Sequence, residues 1–364
     1  MARLRVLQQA LHLKPLQKFQ RPLLCSLTSS LHRRSLSTTC RLLKYTYPEI
    51  PEEDEPFIVK SPYSEVEIPE VNLADFVWKD VEKWPERTAL VCGMTGREYT
   101  YEMAHNMSKK FGSALLRMGA KKGDVLCMVV PNIPEFPIAF FGAAGVGVTL
   151  TTMNPTYRPG KGLSLRNLIM MLTQILITEE IARQLENSGA KYVLTIGLFL
   201  QNIKQACELY GGIEKVIVLG MEDKPDDCVG FIEMVLYEDG SLYDDNRKFN
   251  VHEDIAVLPY SSGTTGPPKG VSLTHYNMVA NMCQMNHPNV TMLRDTNIVE
   301  QEITVAVLPF FHIYAMNTIM TVGLQIGAKI VTVPRFEPEM YIKALVTYRV
   351  GHWQKNEFSL DFNP

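Results

Sequence analysis

The chain has 364 residues, 46% of them hydrophobic and 21% charged, which suits two ordinary globular domains or one large one with subdomains. Its net charge of −3 conceals an asymmetry: residues 1–48 hold nine Lys or Arg and no Asp or Glu, leaving 27 basic against 39 acidic residues in the remainder. A body that acidic repels phosphate at long range, which argues against a nucleic-acid binder. The seven cysteines are widely spaced with no C-x-x-C pair, so a disulfide framework or zinc site is not expected and the thiols should be reduced and mostly buried. No run reaches the roughly 18 apolar residues of a membrane span. The nearest, Phe136–Leu150, is short and Gly-rich and predicts a buried helix and turn.

Taken in order, residues 1–48 are basic, Leu- and Ser-rich and acid-free, the composition of a mitochondrial transit peptide addressed to the matrix. Lys14, Lys18 and Arg21 interrupt every stretch that a secretory signal needs. Pro48 to Pro69 predicts an extended arm. Apolar spacing then predicts a helix over Val71–Lys83 that ends before Pro85. Ala89–Cys92 and Glu98–Thr100 flank Gly93 and Gly96 as a hairpin. Tyr101–Met118 predicts an amphipathic helix closed by Gly119, Val125–Val130 a buried strand, and Ile133–Ala144 a second helix. The alternation resumes with a helix over Ile181–Ser188, a strand over Tyr192–Ile196, a helix around Asn202–Leu209 and a strand over Val216–Leu219. Such alternation specifies an α/β fold, helices packed on mostly parallel sheets.

The most informative segment runs from Asp254 to Asn277. A strand over Ile255–Leu258 feeds a loop of small and hydroxylated residues, Ser261, Ser262, Gly263, Thr264, Thr265 and Gly266, followed by Lys269, a strand, and a helix starting near Thr274. Glycines let backbone approach an anion, hydroxyls and N–H groups converge on phosphate oxygens, and Lys269 adds a point charge. A surface linker can have the same composition, but a bare linker between apolar strands has no need of the lysine. Pro268 before Lys269 and Gly270 after it depart from the Walker pattern, so a P-loop kinase is disfavoured.

S-S-G-T-T-G-x-P-K-G-V resembles the signature of the adenylate-forming family, which includes AMP-forming acyl-CoA synthetases, coumarate–CoA ligases and luciferases. Pro131-Asn132, Asn154-Pro155-Thr156-Tyr157, Glu179 to Tyr192 and the LPFFHIYAMN run at 308–317 match in order. The resemblance covers about residues 50–350 and is nearest to the coumarate–CoA ligase and luciferase branch. It implies a large N-terminal domain of α/β subdomains and an AMP-forming acid–thiol ligase. Such an enzyme activates a carboxylic acid with ATP and Mg²⁺, then transfers the acyl group to coenzyme A. It further implies that Ser261, Ser262, Gly263, Thr264, Thr265, Gly266 and Lys269 hold the nucleotide phosphates, Lys269 also serving catalysis. Mg²⁺ would arrive with the phosphates, with no protein metal site. His312 resembles the gate beside the adenylate; taken alone, a histidine among apolar residues is more often a core residue. Tyr314 and Thr318 match positions facing the acyl group, and Arg335 matches a basic coenzyme A contact.

Two departures shape the domain reading. About twenty residues, 158–177, intervene where relatives connect Tyr157 almost directly to Thr178, and the pattern is lost after Val350. Residues 49–350 therefore read as an incomplete AMP-binding domain, with 351–364 a tail outside the pattern and the C-terminal domain with its catalytic lysine absent. Read-through of unspliced sequence or a transcript variant is the hypothesis that would account for both. The alternatives are a non-catalytic nucleotide-binding fragment and a luciferase-type adenylate monooxygenase relative.

Overall fold

The computed structural model describes residues 61–154, 178–220, 223–261, 268–291, 293–297 and 299–350. The basic head, the atypical 158–177 segment, Ser262 to Gly266 and the 351–364 tail lie outside these residues, as do Cys25 and Cys40. Of the described cysteines, Cys92, Cys127 and Cys228 are buried, Cys207 and Cys283 half-buried, and none is disulfide-bonded.

The larger sheet is seven-stranded. Six of its strands, β3 (Val125–Val129), β4 (Thr149–Thr152), β5 (Ala190–Ile196), β6 (Lys215–Leu219), β7 (Cys228–Gly230) and β8 (Ile255–Val257), are parallel; β11 (Leu273–Thr274) adds an antiparallel edge to β8. The spatial order β11-β8-β4-β3-β5-β6-β7 puts β4 on one side of β3 and β5 on the other, and such a reversal opens a crevice at the carboxyl ends of the strands. Alternation along β3 sends Leu126 and Met128 into one core and Val125, Cys127 and Val129 into another. That two-sided burial is why the segment reads as a continuous apolar run.

A four-stranded sheet joins β1 (Thr88–Cys92) and β2 (Glu98–Thr100), the expected hairpin, to β12 (Ile303–Ala306) and β13 (Lys329–Thr332) in the order β12-β13-β1-β2. One face, through Leu90 and Ile330, shares the main core with the larger sheet; the other, through Val91, Val305 and Val331, is covered by the helix Pro338–Tyr348.

Local signals account for the helices. α1 is Leu73–Trp78, with Asn72 accepting from the Asp75 amide. The single helix expected over Val71–Lys83 is thus two pieces: the chain leaves helical geometry at Asp80, φ −109° and ψ 10°, and Val81–Lys83 forms a separate 3-10 turn. α2 (Tyr101–Arg117) starts at a Thr100 cap and α3 (Glu135–Gly145) is buried throughout, as the apolar 136–150 run required. Close passage of these two helices depends on glycine, because a Cβ on Gly142 would sit 2.4 Å from the Ser108 carbonyl oxygen. α4 spans residues 178–188. α5 (Leu200–Tyr210) ends at Gly211, φ +74°, a left-handed terminus that favours glycine. α6 is Phe231–Tyr237, and α7 (His275–Met285) opens on a Thr274–Asn277 capping box. α8 runs as Ile313–Ala315, π-helical Met316–Thr321 and Val322–Gln325.

Candidate active site

Leu258, just beyond β8, donates its amide to the Leu150 carbonyl at 2.7 Å, so the segment entering the hydroxyl-rich loop is pinned to β4. It then forms a two-stranded antiparallel hairpin, β9 (Tyr260–Ser261) against β10 (Lys269–Gly270), in which Lys269 faces Ser261. Both are exposed. The loop's two ends therefore converge and present a hydroxyl and an ammonium side by side, an arrangement that suits a solvated polyanion. Tyr260 braces the hairpin by donating its hydroxyl to Asn187 Oδ1 of α4 at 2.5 Å. Burial raises the Tyr260 phenol above its ordinary pKa, in keeping with a neutral hydroxyl donor.

The His312 segment is anchored from the carboxyl ends of β3 and β4. Asn132, 5% exposed, donates through Nδ2 to the Ala306 carbonyl at 2.9 Å and the Leu308 carbonyl at 2.8 Å, and its Oδ1 accepts from the Phe310 amide at 2.8 Å. The hydroxyl of Thr152 donates to the Phe311 carbonyl at 2.8 Å. This clamp delivers His312 to the N-terminus of α8, exposed, with Nδ1 accepting from the Tyr314 amide at 3.4 Å. A neutral ring in that pose carries its proton on Nε2.

Tyr314 is 45% exposed, and Thr318, one helical turn on, donates its hydroxyl to the Tyr314 carbonyl at 2.7 Å. Thr321 donates likewise to the Asn317 carbonyl at 2.7 Å and to Asn317 Oδ1 at 2.8 Å, and Asn317 Nδ2 donates to Asn281 Oδ1 of α7. Hydroxyl bonds to preceding carbonyls bend helices, and the wide turn falls at these residues. Arg335 follows β13 on the smaller sheet, is exposed, and pairs with Glu337 on its own loop at 3.6 Å. The structure thus brings Ser261 to Lys269, and His312 to Tyr314 and Thr318; Arg335 stands on a different element from either set.

Nothing local in the sequence marks Thr152 as a clamp residue or gives Asn132 a structural use. The threonine-rich run of β4, Thr149–Thr152, was the available signal.

The family model for AMP-binding enzymes matches residues 77–354. The chain belongs to the AMP-binding enzyme family. A 4-coumarate–CoA ligase of Humulus lupulus is 30% identical over 306 residues, covering 82% of this chain and 50% of that protein. A 4-coumarate–CoA ligase of Arabidopsis thaliana is 30% identical over 303 residues, covering 80% of this chain and 49% of the relative. The chain therefore spans about half the length of the curated relatives it matches. A long-chain-fatty-acid–CoA ligase of Archaeoglobus fulgidus superposes with a TM-score of 0.64 at 24% identity, over 80% of this chain and 52% of that one. A red-emitting luciferase of Phrixothrix hirtus does so at 0.65 and 19% identity, over 79% and 66%. These two likenesses identify the AMP-binding fold.

Proposed function

We propose that the chain carries the phosphate-binding and acyl-facing part of an AMP-forming acid–CoA ligase. The observation supporting this most is the β9–β10 hairpin, which sets Lys269 opposite Ser261 in the open at the mouth of the signature loop. In the proposed reaction a carboxylate oxygen attacks the α-phosphorus of ATP and the bond to pyrophosphate breaks. The thiolate of coenzyme A then attacks the acyl carbon and AMP leaves. Lys269 and Ser261, with Ser262, Gly263, Thr264, Thr265 and Gly266, take the departing phosphates, where preorganised positive charge and donors stabilise the developing anion.

His312 guards the adenylate, Tyr314 and Thr318 face the acyl group, and Arg335 contacts coenzyme A. Mg²⁺ is assigned to the nucleotide, its usual carrier. Residues 1–48 are proposed as a mitochondrial address.

The test is a fusion of residues 1–350 to the second half of a 4-coumarate–CoA ligase, assayed for pyrophosphate release with ATP and a panel of aromatic and fatty acids. Acid-dependent release that is abolished by Lys269→Ala supports the reading. Release from the unfused 364-residue chain at the same rate would overturn the assignment of catalysis to a second half.

A further inference from the structure

We propose that Thr151 and Thr152, adjacent at the end of β4, are positioning residues that set the phosphate hairpin and the His312 segment at a fixed spacing; this rests on the ligase reading for its functional meaning. Successive side chains on a strand point to opposite faces, so neighbouring threonines can serve two different partners. Thr151 donates its hydroxyl to the Leu258 carbonyl at 2.8 Å, three residues before Ser261. Thr152 donates to the Phe311 carbonyl at 2.8 Å, one residue before His312. Both segments are thus hung from consecutive residues of one strand.

Gln184 of α4 ties the pair together, its Nε2 donating to Thr151 Oγ1 and to the Thr152 carbonyl, each at 3.2 Å. The two threonines are 0% and 4% exposed, and β4 lies between parallel neighbours β8 and β3. At such buried sheet positions valine has the same shape, so what the hydroxyls add is their bonds and not packing. The Thr151 hydroxyl donates to Leu258 and accepts from Gln184, linking the hairpin segment to α4. Movement of the hairpin when phosphate enters is therefore transmitted to β4 and, through the next residue, to the backbone that carries His312.

The test uses the full chain and its Thr152→Val, Thr152→Ser and Thr151→Val variants. Ring resonances of His312 are followed by NMR, with the half-buried His105 and the buried His275 as internal controls and sodium tripolyphosphate as the added anion. In the wild type we expect the anion to shift the His312 resonances. Thr152→Val should move the free-state His312 resonance and reduce its anion response at least about threefold, as a lost buried hydrogen bond would. His105 and His275 should stay unmoved, and Thr152→Ser should restore the wild-type spectrum. Thr151→Val should leave the free-state His312 resonance in place and abolish its response to anion. A hydroxyl serving stability alone lowers the melting temperature without moving His312 relative to the other two histidines; that result, or a wild-type His312 spectrum in Thr152→Val, overturns the proposal. If the wild type shows no anion response, the phosphate reading fails, while the free-state His312 comparison between Thr152→Val and Thr152→Ser still decides the positioning role.

Discussion

Asn132→Asp changes one atom of a side chain and tests the clamp that sets the His312 segment. The carboxylate keeps an acceptor for the Phe310 amide but replaces the two donations, at 2.9 Å to Ala306 and 2.8 Å to Leu308, with lone pairs facing carbonyl oxygens. Each hydrogen bond is worth about 1 kcal/mol net, and stranding the buried Ala306 carbonyl and the part-buried Leu308 carbonyl adds a similar amount, giving a cost of about 3–4 kcal/mol. At about 2–3 °C per kcal/mol for a domain of this size, the melting temperature should fall by about 8 °C. Asn132→Ala, which loses all three bonds, should fall by a comparable amount. Differential scanning fluorimetry and urea unfolding at pH 7.5 measure both. If both variants melt within about 2 °C of the wild type, where surface-like substitutions fall, the clamp does not hold the segment and the reasoning is refuted.

Three further outcomes are expected. Gly142→Ala should destabilise by about 2–3 kcal/mol, because the new methyl meets a fixed backbone oxygen and overpacked cores lose that much; a urea midpoint unchanged from the wild type would contradict the close helix contact. Stability should fall in two steps on acidification. Burial, chiefly, lowers His105 and His275 from 6.5 to about 4, so the neutral rings contribute fully above 6.5 and the contribution is lost as pH falls towards 4. Glu238 is lowered from 4.5 to about 2, first by its hydrogen bond with Arg117, so its contribution is complete above 4.5 and lost towards 2. His105→Phe, which keeps the stack on Trp78, should flatten the first step in urea titrations against pH. Finally, residues 1–48 fused to a fluorescent protein should enter mitochondria only while the membrane potential is maintained, and a uniform cytosolic signal would contradict the address.

What could be read from the sequence was what depends on near neighbours. β3, β5 and β6 are short apolar runs between turn residues, α2 is fixed by its amphipathic spacing and the glycine after it, and α3 by an unbroken apolar stretch too short for a membrane. The smaller sheet was legible only as its hairpin, because β1 pairs in parallel with β13 across more than two hundred residues and no local pattern encodes that meeting. The same distance hid the clamp: Asn132 looks like a turn residue until Phe310, 178 positions away, arrives at its side chain. The helix over Val71–Lys83 was over-extended because the apolar rhythm continues through Asp80 although the backbone does not. Of the candidate site, Ser261 with Lys269 and His312 with Tyr314 were close in sequence and could be paired by inspection. The Thr151–Thr152 link between those pairs depends on sheet order.

The central claim is that the Ser261–Lys269 hairpin seats the phosphates of a nucleotide, and the most direct measurement is a calorimetric titration of the full chain with MgATP at low and moderate salt, repeated on Lys269→Ala. The wild type should bind weakly, saturably and in a salt-sensitive way, and the variant with an affinity lower by about tenfold, the loss expected for one charge-assisted contact. Equal binding by the two proteins, or no saturable binding by the wild type, would contradict it.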